Sequence, residues 1–192
     1  TWLGNRRDYR PDPDADPQYG YRGWNWRLQY RGLFQLSPAA RLVFGYDHDA
    51  PRYRYYGFGS DERHSAQVNS FYGMIVLPPL ARLPLTGGAR HDVHSQFGGV
   101  TTFGVNANYG LGDGRTRLRA AYGEGFRAPS LYQLYDGYSG NAALLPERSR
   151  SFDVGIDRRF ANGRGTLSLS LFTRATRHQI DYDLTTDHYA NL

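Results

Sequence analysis

The residues best suited to hold a ligand lie in one stretch. Between Arg127 and Pro146 the longest connection of the chain carries Tyr132, Tyr135, Tyr138 and Asn141. Tyrosine combines an apolar body with a polar tip, so a group of them suits recognition of a bulky ligand. Tyr53, Tyr55 and Tyr56 form a second group just before residues 57–63. For each tyrosine the competing role is to mark a membrane–water boundary, where amphipathic rings collect. The ligand-binding candidates are therefore Arg127, Tyr132, Tyr135, Tyr138 and Asn141, with Tyr55 and Tyr56. A third group, Asp12, Asp14 and Asp16, places three carboxylates among prolines. Oxygen-rich loops can bind calcium; the alternative is a solvated loop.

Other constellations lead nowhere. Gly123-Glu124-Gly125-Phe126-Arg127-Ala128 has the spacing of a dinucleotide fingerprint. That fingerprint needs a helix opening after its glycines, whereas Pro129 follows at once with no amphipathic pattern. The strand before it alternates, while a parallel strand would be continuously apolar. His91 and His94 resemble a metal pair, but positions i and i+3 of a strand face opposite sides. No G-x-S-x-G elbow and no spaced Ser, His, Asp set is visible. The sequence gives no support for an enzyme.

Composition sets the elements that must position these groups. The 192 residues include 23 glycines, 16 tyrosines and no cysteine, which removes disulfides and thiolate metal sites. All basic residues are arginine, and the formal charge is +5. These arginines are spread along the chain rather than clustered, so nucleic acid is not the expected partner. The longest apolar run, Met74 to Ala81, is far short of the roughly 20 residues of a spanning helix. There is no basic-then-apolar leader and the first residue is Thr1, so the chain reads as a piece of something longer.

Period-two alternation recurs instead. Trp24, Trp26, Leu28 and Tyr30 alternate with Arg27, Gln29 and Arg31; Phe103, Val105, Ala107 and Tyr109 alternate with Gly104, Asn106 and Asn108. Similar patterns begin near residues 116, 151 and 166, and less regular ones cover 41–56, 64–77 and 84–95. This predicts about eight strands, most of 11–16 residues, longer than the 5–6 usual in soluble sheets. Turn chemistry at residues 37–40, at Pro78-Pro79, at residues 112–114 and at Asn162-Gly163 predicts tight connections. Longer ones are expected at 57–63, 95–100, 127–149 and after Asp183. Alternately short and long connections define an up-and-down barrel with turns on one membrane side and loops on the other. Trp24, Trp26, Tyr109, Phe126 and Phe160 would form its aromatic girdles. The fold expected is an all-β, transmembrane antiparallel barrel whose polar face lines a wet lumen; the competing fold is a soluble β-sandwich binding module.

Several of these residues also resemble a known family. Gly125 to Leu131, Leu134-Tyr135, Gly140-Asn141 and Leu145 to Ser149 are similar to the late-barrel signature of TonB-dependent outer-membrane receptors. Gly88 to Asp92 with Ser95 to Gly98, and Ile180 to Asp183 with Tyr189 and Asn191, narrow the resemblance toward the cobalamin (vitamin B12) receptors of that family. It covers about residues 84–192; residues 1–83 fit by pattern alone. The resemblance implies a 22-stranded barrel in the bacterial outer membrane, with residues 1–192 as about eight strands of one barrel domain. The plug domain, the TonB-contacting segment and the early and final strands would lie outside the chain. It further implies loops that bind cobalamin or an iron chelate such as a siderophore or haem, import driven by the TonB complex, and calcium ordering loops near Asp12, Asp14 and Asp16. Arginines in the loops favour anionic iron chelates, and tyrosine and amide contacts favour cobalamin. With Arg127 and Arg148 only at the ends of its loop, the sequence leans to cobalamin.

Overall fold

A computed structural model describes residues 2–77, 83–160 and 164–192. The expected turns at Pro78-Pro79 and Asn162-Gly163 lie outside these residues. The described chain forms β1 (Trp2–Tyr9), β2 (Tyr19–Ser37), β3 (Ala40–Gly57), β4 (Ser60–Ser65), β5 (Val68–Leu77), β6 (Leu85–His94), β7 (Gly98–Gly110), β8 (Thr116–Arg127), helix α1 (Leu131–Tyr135), β9 (Glu147–Phe160), β10 (Gly165–Arg177), β11 (Ile180–Asp183) and β12 (His188–Asn191). The main sheet runs β1-β2-β3-β5-β6-β7-β8-β9-β10, every neighbour antiparallel, with β4 paired to the far end of β3. Eight of these strands, β2, β3 and β5 to β10, are the ones alternation marks.

The apolar face of this sheet covers nothing. Phe103, Val105 and Leu118 are 55%, 41% and 40% exposed, and Leu169 and Leu171 are more so. A water-soluble sandwich would bury these side chains against a second sheet. Their row continues across strands, with Tyr109 opposite Leu118, Leu118 opposite Ile156 and Ile156 opposite Leu169. A continuous apolar face without a protein partner is what acyl chains solvate. The other face is polar and tied by ion pairs. Arg27 meets Asp49, Arg90 bridges Asp47 and Asp92 at 2.9 Å each, and Arg119 donates to Asp157 at 3.1 Å. Among the described residues β1 and β10 each keep one unpaired edge. In hydrocarbon such edges must be paired.

The short connections lie at one end. β2 and β3 are joined by Pro38-Ala39, where Ala39 N donates to Ser37 Oγ. Between β7 and β8, Asp113 accepts from the backbone of Arg115 and Thr116 and from the Thr116 hydroxyl. These bonds hold the Asp113 carboxyl at about 2, below the ordinary carboxylate range. The opposite end carries residues 10–18, the β3–β4 hairpin, residues 128–146 and the β11–β12 hairpin. One connection there departs from expectation: residues 95–100 are not a long loop but a three-residue turn closed by Gly98 at φ +71°.

The strands also overshoot the membrane. The 18 residues of β3 cover about 60 Å along the strand, or about 42 Å along a normal tilted by 45°. An apolar band is about 25 Å tall. The remainder, with β4 and the tops of β1 and β2, stands in water as a collar on the long-loop side. Phe58 (φ +49°) and Gly59 (φ +83°) form the two-residue turn from β3 to β4, a geometry with both central residues left-handed.

Candidate functional site

The connection from β8 to β9 is folded by its own side chains. Ser130 caps α1: its hydroxyl accepts from Gln133 N while the Gln133 side chain accepts from Ser130 N, a reciprocal box that satisfies two orphan donors. Leu131 packs with Tyr53 and Ala66 on the collar, and Leu134 packs with Leu144 and Ile180. Glu147 then closes the loop. It accepts from Arg127 Nη1 at 2.7 Å and from Ile180 N at 2.8 Å, so one carboxylate joins both ends of the loop to the tail. Asn141 donates to the Tyr189 carbonyl at 2.8 Å, and Asn191 bonds both backbone groups of Leu145. The ordered motif from Gly125 to Ser149 is thus the set of caps, plugs and clamps that holds this loop against β11 and β12. A helix does follow Pro129, contrary to the sequence expectation, but it has only five residues and the strands around it are antiparallel. The dinucleotide reading stays excluded.

Held this way, the loop completes a cup of about 410 Å³ at the top of the barrel. Its wall is Tyr9, Tyr19, Tyr21, Tyr55, Tyr132, Tyr138, Tyr182 and Tyr189, with Phe58, Asp136 and Ser139. Ring contacts set their orientation: Tyr9 stacks on Tyr19 at 4.5 Å, Tyr21 meets Tyr132 at 5.4 Å, and Tyr182 meets Tyr189 edge-on at 5.5 Å. Asp136 organises the floor by accepting from the hydroxyls of Tyr53 (3.2 Å) and Ser139 (2.8 Å). Burial pushes the Tyr132 phenol up from its ordinary value, so it stays neutral at physiological pH. The Arg7 guanidinium sits 5.8 Å from the Tyr21 ring centre. Lower on the lumen side a second concavity of about 960 Å³ opens between Asn5, Asn25, Arg27, Asp49, Arg127 and Tyr132.

The seven ligand candidates divide. Tyr55, Tyr132 and Tyr138 line the cup, and Tyr138 is largely exposed. Tyr135 faces away, stacked on His64 at 3.8 Å with its hydroxyl accepting from Gln96. Asn141 and Arg127 are clamps of the loop, although Arg127 also borders the lower concavity. Tyr56 points to the outer face, where it donates to Asp8. Asp12, Asp14 and Asp16 are exposed in residues 10–18, and among the described residues no group of three His, Cys, Asp or Glu is placed to hold a metal. Phe126, expected in the lipid-side girdle, is half-buried and borders the lower concavity. Sequence reasoning missed Tyr9, Tyr19, Tyr21, Tyr182 and Tyr189. Tyr182 and Tyr189 stand among the residues that resemble the family but not among the ligand candidates; for Tyr9, Tyr19 and Tyr21 the only signal is tyrosine density at strand ends, which a membrane boundary also produces.

Fold and site together define a segment of an outer-membrane β-barrel whose collar and loops build an aromatic mouth. The chain belongs to the TonB-dependent receptor β-barrel family, whose model, described as TonB dependent receptor-like, beta-barrel, matches residues 1–192. It lies in the bacterial outer membrane. Among solved structures it is similar to the siderophore receptor PirA of Pseudomonas aeruginosa, at 23% identity and TM-score 0.74, over 90% of this chain and 35% of that one. It is similar to the ferric enterobactin receptor PfeA of the same organism, at 18% identity and TM-score 0.70, over 90% and 31%. The copper transporter OprC matches at 17% identity and TM-score 0.71, over 100% and 37%. The chain therefore spans about a third of these structures, and at such identities they show the fold alone. None of the three is named for cobalamin.

Proposed function

We propose that the receptor containing this segment binds a metal chelate at the tyrosine cup and imports it through the barrel with energy from a TonB complex. The observation that carries this reading is the cup itself: eight phenol rings, held by packing and caps, at the loop end of a barrel wall. Neutral aromatic walls with hydroxyl tips offer stacking area and hydrogen bonds at little conformational cost. An iron–siderophore chelate is the first reading. Arg7, whose guanidinium lies against the Tyr21 ring of the cup, favours an anionic ligand, and two of the similar structures are siderophore receptors. Cobalamin is the second reading, favoured by the tyrosines of the cup and by Asn25 in the lower concavity.

The test is a titration of the complete receptor with ferric siderophores and with cyanocobalamin, followed by aromatic fluorescence. Tyr132→Ala, together with Tyr21→Ala, removes two facing rings; at about 1–3 kcal/mol per lost ring contact, affinity falls at least tenfold. Saturable binding of cyanocobalamin with none of the chelates selects the second reading. Unchanged affinity in the double variant for every ligand that binds defeats the cup as the site.

A further inference from the structure

On the outer face of the collar four arginines stand in one row across four strands. Arg6 lies opposite Arg22, Arg22 opposite Arg54, and Arg54 opposite Arg63. At about 4.8 Å per strand the row extends about 14 Å. Arg52 lies on the same face two positions below Arg54. Like charges directly opposite one another across a sheet are unfavourable unless something neutralises them. Two carboxylates do so in part. Asp8 pairs with Arg6 at 2.6 Å, and Asp61 pairs with Arg54 at 2.6 Å and more distantly with Arg63 at 3.8 Å. Five guanidinium groups against two carboxylates leave a formal excess of three positive charges. Arg22 has no ion pair among the described residues; its buried Nε has no hydrogen-bond partner there, and its guanidinium rests 5.6 Å from the Tyr56 ring centre.

The height of the row says what meets it. On β2 the outward residues descend from Arg22 to Trp24, Trp26, Leu28 and Tyr30, so the arginines sit one step above two tryptophans and the apolar band. Tryptophan marks the headgroup level of a bilayer. Arginines just above it, turned away from the lumen, face lipid headgroups rather than an imported ligand. Beside the row a groove of about 380 Å³ opens between Trp24, Arg52, Arg54 and Arg63, and this pairs an aromatic wall with cationic rims. Guanidinium forks match phosphate oxygens in a bidentate manner.

We propose that this row is a binding site for a phosphorylated lipid headgroup of the outer leaflet, held by Arg22, Arg54 and Arg63 with Trp24 against its apolar part. The site is independent of which chelate the lumen carries.

The complete receptor in neutral detergent is titrated with lipid A bearing its phosphates, with dephosphorylated lipid A, and with inorganic phosphate, and bound lipid is counted by native mass spectrometry. The phosphorylated lipid binds at one copy per receptor and the other two probes bind far more weakly. Arg22→Gln with Arg63→Gln weakens that binding about thirtyfold, at roughly tenfold or less per charge. The charge-keeping pair R22K and R63K, which lacks the fork but keeps the charge, loses less than the glutamine pair, which separates loss of the site from loss of the fold. Arg117→Gln, on the lumen face near the short turns, leaves it unchanged. Equal binding of dephosphorylated lipid A, equally tight binding of inorganic phosphate alone, or no effect of the glutamine pair in a receptor that keeps its heat-resistant gel mobility overturns the proposal. A protein co-purifying on this face and displaced by neither lipid also overturns it.

Discussion

Placing a charge at Val105 and at its neighbour Asn106 tests the solvent on each side of the sheet. Val105 lies opposite Gly87 and Tyr122, on the face that also carries Phe103 and Tyr109. Tyr109 ends the apolar face toward the short turns. Four residues separate it from Val105, about 14 Å along the strand and about 10 Å along the membrane normal at a 45° tilt. Half of an apolar band about 25 Å tall is about 12 Å, so Val105 sits within about 3 Å of the midplane. Val105→Arg should therefore cost about 2–4 kcal/mol, a shift of about 30- to 800-fold in the folding equilibrium. Asn106 pairs with Thr86 and Ala121 on the polar face and is exposed there. Asn106→Arg adds a charge to a hydrated wall and should change stability by less than about 0.5 kcal/mol. The assay is reversible denaturant unfolding of the complete receptor in phospholipid vesicles, read by tryptophan fluorescence. Equal costs at the two positions, or a larger cost at Asn106, would refute acyl-chain solvation of the Val105 face.

Three further outcomes follow from the loop and the turns. Glu147→Ala removes the acceptor shared by Arg127 and Ile180. Because Arg127 is half exposed, most of the loss, about 1.5–3 kcal/mol of loop order, comes from the bond to Ile180 N; hydrogen exchange across residues 128–146 should rise about tenfold or more with the barrel strands unchanged. Leu134→Ala opens a void between Leu144 and Ile180 and should cost about 2–5 kcal/mol locally, seen as new protease cleavage between Gly137 and Pro146. Asp113 has a folded value depressed to about 2. Its contribution to the turn is therefore complete above about pH 4 and is lost as pH falls toward 2, so the Arg115 and Thr116 amides should lose protection in that window and Asp113→Asn should abolish the dependence.

Where the sheet crosses the membrane its pattern was legible, because one face meets hydrocarbon and the other water. Alternation at Leu28, Val105 and Leu118 marks eight strands for that reason. It fails for β1 and β4, whose sequences include Asn5-Arg6-Arg7-Asp8 and Ser60-Asp61-Glu62-Arg63. These stand in the collar, where both faces meet polar surroundings, so nothing selects one parity over the other. β11 and β12, four residues each, are too short to show a period. The loop was legible as a motif but not as a mechanism. Ser130 and Gln133 have capping-box spacing, yet nothing in the sequence shows that Asn141 and Asn191 would be spent on backbone rather than on ligand. The cup depends on parity within β1 and β2, which the collar hides.

The crosswise bonds of Asn141 and Asn191 carry a mechanical consequence. Residues 128–146 and the β11–β12 hairpin share Leu144, Ile180, Glu147 and both asparagine clamps, so neither can swing without the other. A load on Tyr132 is therefore shared with Tyr189, and Leu131 and Asp136 tie the same unit to Tyr53 of the collar. At Gly137 an added Cβ would lie 2.8 Å from the Tyr55 ring, so any side chain larger than glycine's there would press this whole unit away from the collar.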